Sequence, residues 1–227
     1  MFGNTLLVGL LGGLLNLDTK PVLNMLVSQP LIAGPLVGWI LGDWTFGLIT
    51  GSFLELIWIN NMPIGISIPP NICLTAVMAT AIGIFLHQAL PEFSSQSIMI
   101  FSIAVTVPVG LVSRWIEVYM RELNSRVVRR ALAFAHHDNL IGLEGINVLE
   151  IIVSFLEGFL LCWVCALIGF DILPRVMKSM PKEVIEGLNL SFKYLPALGL
   201  AVVLEMFYMK KSFFALVAFF VLVWVLR

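Results

Sequence analysis

The stretch QPLIAGPLVGWILGDWTFGLITGSFLELIWINN, residues 29–61, decides the fold. It is apolar enough to enter a membrane, yet Pro30 and Pro35 and the glycines at 34, 38, 42, 47 and 51 interrupt it throughout. Proline removes a backbone donor and breaks a helix. In hydrocarbon, backbone freed in this way is tolerated only inside protein or beside a wet cavity. Broken helices near the bilayer midplane are how secondary transporters build binding sites. Glycines at 34, 38 and 42 repeat every four residues, a spacing that lets helices approach closely. Packing is therefore their expected role.

Outward from this stretch, the chain keeps the same character. Of 227 residues 59% are hydrophobic and only 12% charged, with a mean hydropathy of +1.00. A soluble domain carries about 25% charged residues, so the composition excludes a disordered chain and points to an all-α integral membrane protein. The net charge of −1 gives nucleic-acid binding no electrostatic basis. Residues 1–17 lack a basic region and a small-residue cleavage site, so this segment is expected to stay in place.

Residues 1–95 read as a broken-helix substrate region within a single membrane domain covering 1–227. The stretches 44–59 and 72–86 look too short or too interrupted for plain spans, and both are expected to be re-entrant. Plain spans are expected at 97–113, 147–170, 194–209 and 212–226. Between the first two lies a basic connection, residues 114–146, with Arg114, Arg121, Arg126, Arg129 and Arg130 against Glu117 and Glu122. The positive-inside rule places it in the cytoplasm as an amphipathic, mostly helical connection, with Lys210 and Lys211 on the same side. It is suited to meet a soluble partner or anionic lipid. A second interrupted stretch, 171–193, contains Pro174, Pro181 and Gly187. It is expected to form either an interfacial helix or a partner to the first broken region. The remaining segment, 147–227, holds these further spans and the interfacial element.

Glu55 is the foremost candidate for chemistry, an acid in an apolar run. Intramembrane carboxylates normally face a cavity or a partner. Carboxylate and carboxamide groups together suit sugar hydroxyls, because the acid accepts while asparagine both donates and accepts. The competing reading has Glu55 bonding freed backbone amides at the helix break. Asn60, Asn61 and Asn71 flank the turn from Pro63 to Pro70, and Gln29 precedes Pro30 as a further cavity candidate. Asparagine is equally a turn residue. Trp58 offers a flat face for stacking a pyranose ring. Asp43 is expected to cap the helix that follows it.

Asn147, Glu150, Ser154 and Glu157 recur at steps of three, four and three, so they line one helical face. An intra-complex contact is preferred for this stripe over substrate binding. Glu205 is expected to snorkel toward, or pair with, the lysines at 210 and 211. Cys73, Cys162 and Cys165 all lie in apolar runs and are expected as packed thiols rather than a metal or redox site. Neither a nucleophile–base pair nor a nucleotide-binding glycine motif appears, and His87, His136 and His137 lack metal-ligand spacing. No catalysis and no cofactor are expected of this chain.

Residues 29–43 strongly resemble the IIC component of the mannose–fructose–sorbose family of the bacterial phosphoenolpyruvate-dependent phosphotransferase system. The likeness continues through 47–56, Ile64–Gly65 and Pro70–Asn71. The segment Met180-Pro-Lys-Glu-Val-Ile-Glu-Gly-Leu-Asn189 is similar to the family's IPEVVxxGLN stretch. The resemblance implies a multi-pass sugar permease of the bacterial cytoplasmic membrane with a core-plus-scaffold architecture and an elevator-type movement. It implies a IID membrane subunit, soluble IIA and IIB subunits that relay phosphate, and a trimer of IIC–IID pairs. The acid of the family's G-x-L-E stretch lies near the sugar, and Glu55 matches it. Where the family often has Pro-Asp, this chain has Pro70-Asn71. The leading expectation is a subunit that translocates a hexose or hexosamine, with Glu55, Asn60, Asn61, Asn71, Gln29 and Trp58 at the site. The alternatives are a non-transporting membrane scaffold or sensor derived from such a subunit and, more remotely, a membrane-embedded enzyme.

Overall fold

A computed structural model describes residues 2–19, 25–59, 70–136 and 140–206. These form seven α-helices: α1 (Phe2–Asn16), α2 (Pro30–Leu41), α3 (Trp44–Trp58), α4 (Ile72–Ala89), α5 (Ser95–His136), α6 (Leu140–Lys178) and α7 (Lys182–Met206). A short 3-10 turn, Leu17–Thr19, follows α1.

The decisive stretch folds as an antiparallel hairpin of two helices. Pro30 occupies the first helical position of α2, where the missing N–H costs nothing. Gly42 ends the helix in the left-handed region at φ 94°, and the Asp43 amide returns to the Gly38 carbonyl at 2.8 Å. The Asp43 carboxylate then accepts the Phe46 amide at 2.9 Å and caps α3, the role expected of it. At 12 and 15 residues, α2 and α3 extend about 18 and 22 Å, short of the roughly 30 Å hydrocarbon core.

Gly34 and Gly38 form the seam of this hairpin against Gly47 and Gly51, whereas Gly42, expected to pack with them, meets open space and serves instead as the C-cap. A Cβ on Gly34 would sit 2.5 Å from the Gly47 carbonyl oxygen, and one on Gly38 would sit 2.5 Å from the Asp43 oxygen. The neighbouring atoms are backbone, which cannot give way. Gly34→Val is therefore expected to destabilise the hairpin by about 1–3 kcal/mol or more. Gly42→Ala meets open space and carries only the left-handed strain of about 1–2 kcal/mol. Thermal unfolding of the two variants in detergent checks that order, and an equal or reversed ranking would contradict the packing argument.

Three helices among the described residues are long and apolar enough to cross a membrane: Ile72–Ala89, Ser95–Met120 within α5, and Glu144–Lys178 within α6. The first is longer than the stretch 72–86, which the sequence made too short for a plain span. The helix does not stop at Leu86 but runs on through Ala89, and its 18 residues are uninterrupted. It is also the most enclosed of the three, with 72% of its window buried. The expected spans at 97–113 and 147–170 fall inside α5 and α6. Much of the basic connection is helical extension, since α5 runs to His136 and α6 begins at Leu140.

The second interrupted stretch proves to be a helix–turn–helix. Helix α6 passes through Pro174 to Lys178, and Ser179–Pro181 turn the chain into α7. Helix α7 packs on the first broken region: the Phe53 and Phe192 rings meet edge-on at 5.4 Å, and Gly199 lies against Leu56. The partnership with the broken region, one of the two expectations for 171–193, is present in the Phe53–Phe192 contact. The expected span at 194–209 falls within α7 as far as Met206, although α7 is not among the three long apolar helices. The expected span at 212–226, Lys210, Lys211 and the Glu205 side chain lie outside the described residues.

Helix α1 lies along α6 in close contact. Gly9, Gly12 and Gly13 face Phe155, Gly158, Phe159, Cys162 and Trp163, and the three rings stack in sequence at 6.0 and 5.9 Å. Cys162 and Cys73 are buried, Cys165 is half-buried, and all three are free thiols. This accords with their reading as packing residues. A maleimide applied to the folded protein is expected to modify Cys165 ahead of Cys73 and Cys162, and denaturant should expose all three. Mass spectrometry of the labelled peptides tests the order.

Candidate functional site

The antiparallel hairpin brings the C-terminal end of α3 beside the N-terminal end of α2. Glu55, in the last turn of α3, would be poorly placed for its own helix dipole, since carboxylates are disfavoured at a C-terminus. The hairpin instead carries it to the N-terminus of α2, where its Oε2 accepts the Leu31 amide at 3.2 Å. The Gln29 side chain makes no capping bond, and Pro30 has no N–H. Leu31 thus presents the first orphan amide of α2, and Glu55 takes it across the hairpin. The second reading of Glu55, a carboxylate on freed backbone amides, describes this contact. The side chain is half-buried, and among the described residues only one of its oxygens is engaged.

The turn leading into α2 is held by another acid. Asp18 is buried; its Oδ1 accepts the Met25 amide at 2.5 Å and its Oδ2 the Ser28 amide at 2.8 Å. Between those two amides lies Leu26, which has a positive φ of 64°. The Gln29 amide closes the turn on the Leu26 carbonyl at 3.1 Å. Asp18 lies outside the three long apolar helices. Burial opposes its ionisation, but the Ser28 and Met25 amides outweigh this and hold its carboxyl below the usual carboxylate range.

Asn71 caps α4 by accepting the Leu74 amide at 3.1 Å. Its Nδ2 donates to Asn16 Oδ1 at 2.8 Å, and its own amide donates to the Ser113 hydroxyl at 3.3 Å. Asn16 is fully buried and donates from Nδ2 to the Ser154 carbonyl on α6 at 2.8 Å. One carboxamide pair therefore ties α1, α4 and α6 together, with Ser113 adding α5. In the polar stripe of α6, Ser154 is buried at this junction while Asn147 and Glu150 are exposed.

Of the six sequence candidates, Glu55 bonds the first turn of α2, Gln29 is the N-cap residue of the same helix, and Asn71 pairs with Asn16 at the end of α1. Trp58 is only 7% exposed and packs in the hydrophobic core. Asn60 and Asn61 lie outside the described residues. Asn16 and Asp18 were not among the candidates, yet they hold the two limbs. The available signal was their position, two polar residues closing an otherwise apolar helix.

Long apolar helices packed around a hairpin too short to cross, with carboxylates and carboxamides at its open end, define an integral membrane helical bundle of the transporter class. The family follows from comparison: the model described as PTS system sorbose-specific IIC component matches residues 2–227, and the chain belongs to that family. It is similar to the fructose permease IIC component of Bacillus subtilis (strain 168), at 26% identity over 189 residues, covering 82% of this chain and 67% of that protein. The mannose-specific EIIC component of Escherichia coli (strain K12) is 27% identical over 179 residues, covering 78% of this chain and 64% of the relative. The chain thus spans about two thirds of the length of these curated relatives. Among solved structures, one described as a membrane protein superposes with a TM-score of 0.76 at 24% identity, covering 95% of this chain and 85% of that one. The mannose transporter ManYZ in complex with microcin E492 superposes at 0.63 and 23% identity, covering 99% and 86%. These two likenesses show the fold.

Proposed function

We propose that the protein is the sugar-translocating IIC subunit of a phosphotransferase-system permease of the mannose–sorbose type, seated in a bacterial cytoplasmic membrane. The match of the family model to residues 2–227 carries this reading. In it, a hexose or hexosamine is bound by Glu55, Asn60, Asn61, Asn71 and Gln29, while Trp58 packs in the core behind them. Glu55 supports the assignment because one carboxylate oxygen accepts the Leu31 amide and, among the described residues, the other has no partner, leaving it an acceptor suited to a hydroxyl. Phosphoryl transfer belongs to soluble IIA and IIB subunits, and this chain pairs with a IID subunit in a trimer of pairs. The α2–α3 hairpin and its packing partners then belong to the core that moves, elevator fashion, against a scaffold.

Phosphoenolpyruvate-dependent uptake of labelled hexoses in vesicles, with the chain co-expressed beside its genomic neighbours, tests the reading. Phosphorylated sugar inside the vesicles, only when this chain is present, is the expected result. Sugar that binds without crossing would replace this reading with that of a membrane sensor.

A further inference from the structure

We propose that Asp18 is a positioning residue for the substrate site, setting the N-terminal end of α2 against Glu55 although it touches no substrate itself. This rests on the sugar-permease reading.

The argument begins with Leu26. A branched residue at positive φ is disfavoured, and such a conformation persists only where its surroundings over-determine it. Here the determinant is one carboxylate. Asp18 receives the amides of Met25 and Ser28, on either side of Leu26, with separate oxygens. The same turn delivers Gln29, whose carbonyl accepts the Ile32 and Ala33 amides at 2.9 and 2.8 Å and so starts α2. Two residues beyond Gln29, Leu31 meets Glu55. Residues 25–31 are thus gripped by Asp18 at one end and by Glu55 at the other.

Asp18 is itself fixed in space. It follows Asn16, which is bonded to α6 through the Ser154 carbonyl and to α4 through Asn71. Thr19 closes the turn with its hydroxyl on the Asn16 carbonyl at 2.7 Å. The close approach of Gly12 and Gly158 seats this end of α1 on α6. The terminus of α1 therefore references both limbs of the site to one helix: Asn16 sets Asn71, and Asp18 sets Gln29 and Glu55. Asparagine at position 18 keeps the volume but replaces one of the two acceptor oxygens with an NH2 donor facing a backbone amide.

The test uses the full chain co-expressed with its partner subunits, carrying Asp18→Asn or Asp18→Glu. Uptake of labelled mannose, fructose, sorbose and N-acetylgalactosamine is measured against concentration, and hydrogen exchange of residues 25–31 is followed on the purified chain. Asp18→Asn should accelerate exchange in that segment and raise KM at least about tenfold, with the maximal rate within about twofold. Asp18→Glu should recover part of both effects. Unchanged exchange would overturn the grip on the turn, and accelerated exchange with an unmoved KM would overturn its service to the site. If the parent chain takes up and binds none of the sugars, the permease reading fails and this proposal falls with it. Normal parental uptake with an unmoved KM in the variant defeats the Asp18 proposal alone.

Discussion

Uptake by the double variant Glu55→Gln, Asn71→Ala is expected to fall by about 100-fold or more, with the protein still inserted in the membrane. A hydrogen bond to a charged group contributes about 1.5–3 kcal/mol, and each 1.4 kcal/mol is a factor of ten. Losing the charged acceptor and one carboxamide reaches that range together. The single variants separate site from scaffold. Glutamine at 55 retains a carbonyl oxygen able to accept the Leu31 amide, so the hairpin end survives while the charge is lost. Alanine at 71 removes the cap on Leu74 and the link to Asn16, and it should cost stability as well as uptake. Uptake assays normalised to membrane level read the first effect, and detergent melting reads the second. Normal uptake of the best substrate by the double variant would remove Glu55 and Asn71 from the site.

The second large effect is expected at Asn16. Replacing it by leucine strands the Asn71 Nδ2 donor and removes the bond to the Ser154 carbonyl, in a fully buried position. An unsatisfied buried group costs about 1–3 kcal/mol, and removing one partner of a buried network exposes more than one such cost. Loss of about 2–4 kcal/mol follows. Asn16→Asp should be at least as damaging, since it keeps an acceptor for Asn71 but sets a buried carboxylate oxygen against the Ser154 carbonyl. Melting of the purified protein in detergent measures the series. A leucine variant as stable as the parent would show that the asparagine pair does not tie α1, α4 and α6 together.

Much of this architecture was legible in the sequence because it depends on local chemistry. The Pro30, Gly42 and Asp43 signals place the ends of α2 and α3, each acting within five residues of itself. The small-residue repeat marks a close seam, and the structure supplies its partner strip, Gly47 and Gly51. The length of α4 was misjudged because the apolar run was closed at Leu86. His87 and Gln88 are polar but compatible with a helix, and the backbone continues through them.

The candidate site was legible in part for a different reason. An acid in an apolar stretch announces that it needs a partner, which is why Glu55 stood out, but composition cannot name the partner. Trp58 reads as an exposed stacking face only until the hairpin turns it inward to the core.

The sequence by itself determined a membrane bundle of apolar helices, the broken hairpin and its caps, because periodicity, proline, glycine and capping act over a few residues. Tertiary structure decided where the buried polar groups spend their hydrogen bonds: Glu55 on Leu31, Asn71 on Asn16, and Asn16 on Ser154, across 24, 55 and 138 residues. Such pairs satisfy donors and acceptors that have no water to turn to, and only the packed helices bring them within reach.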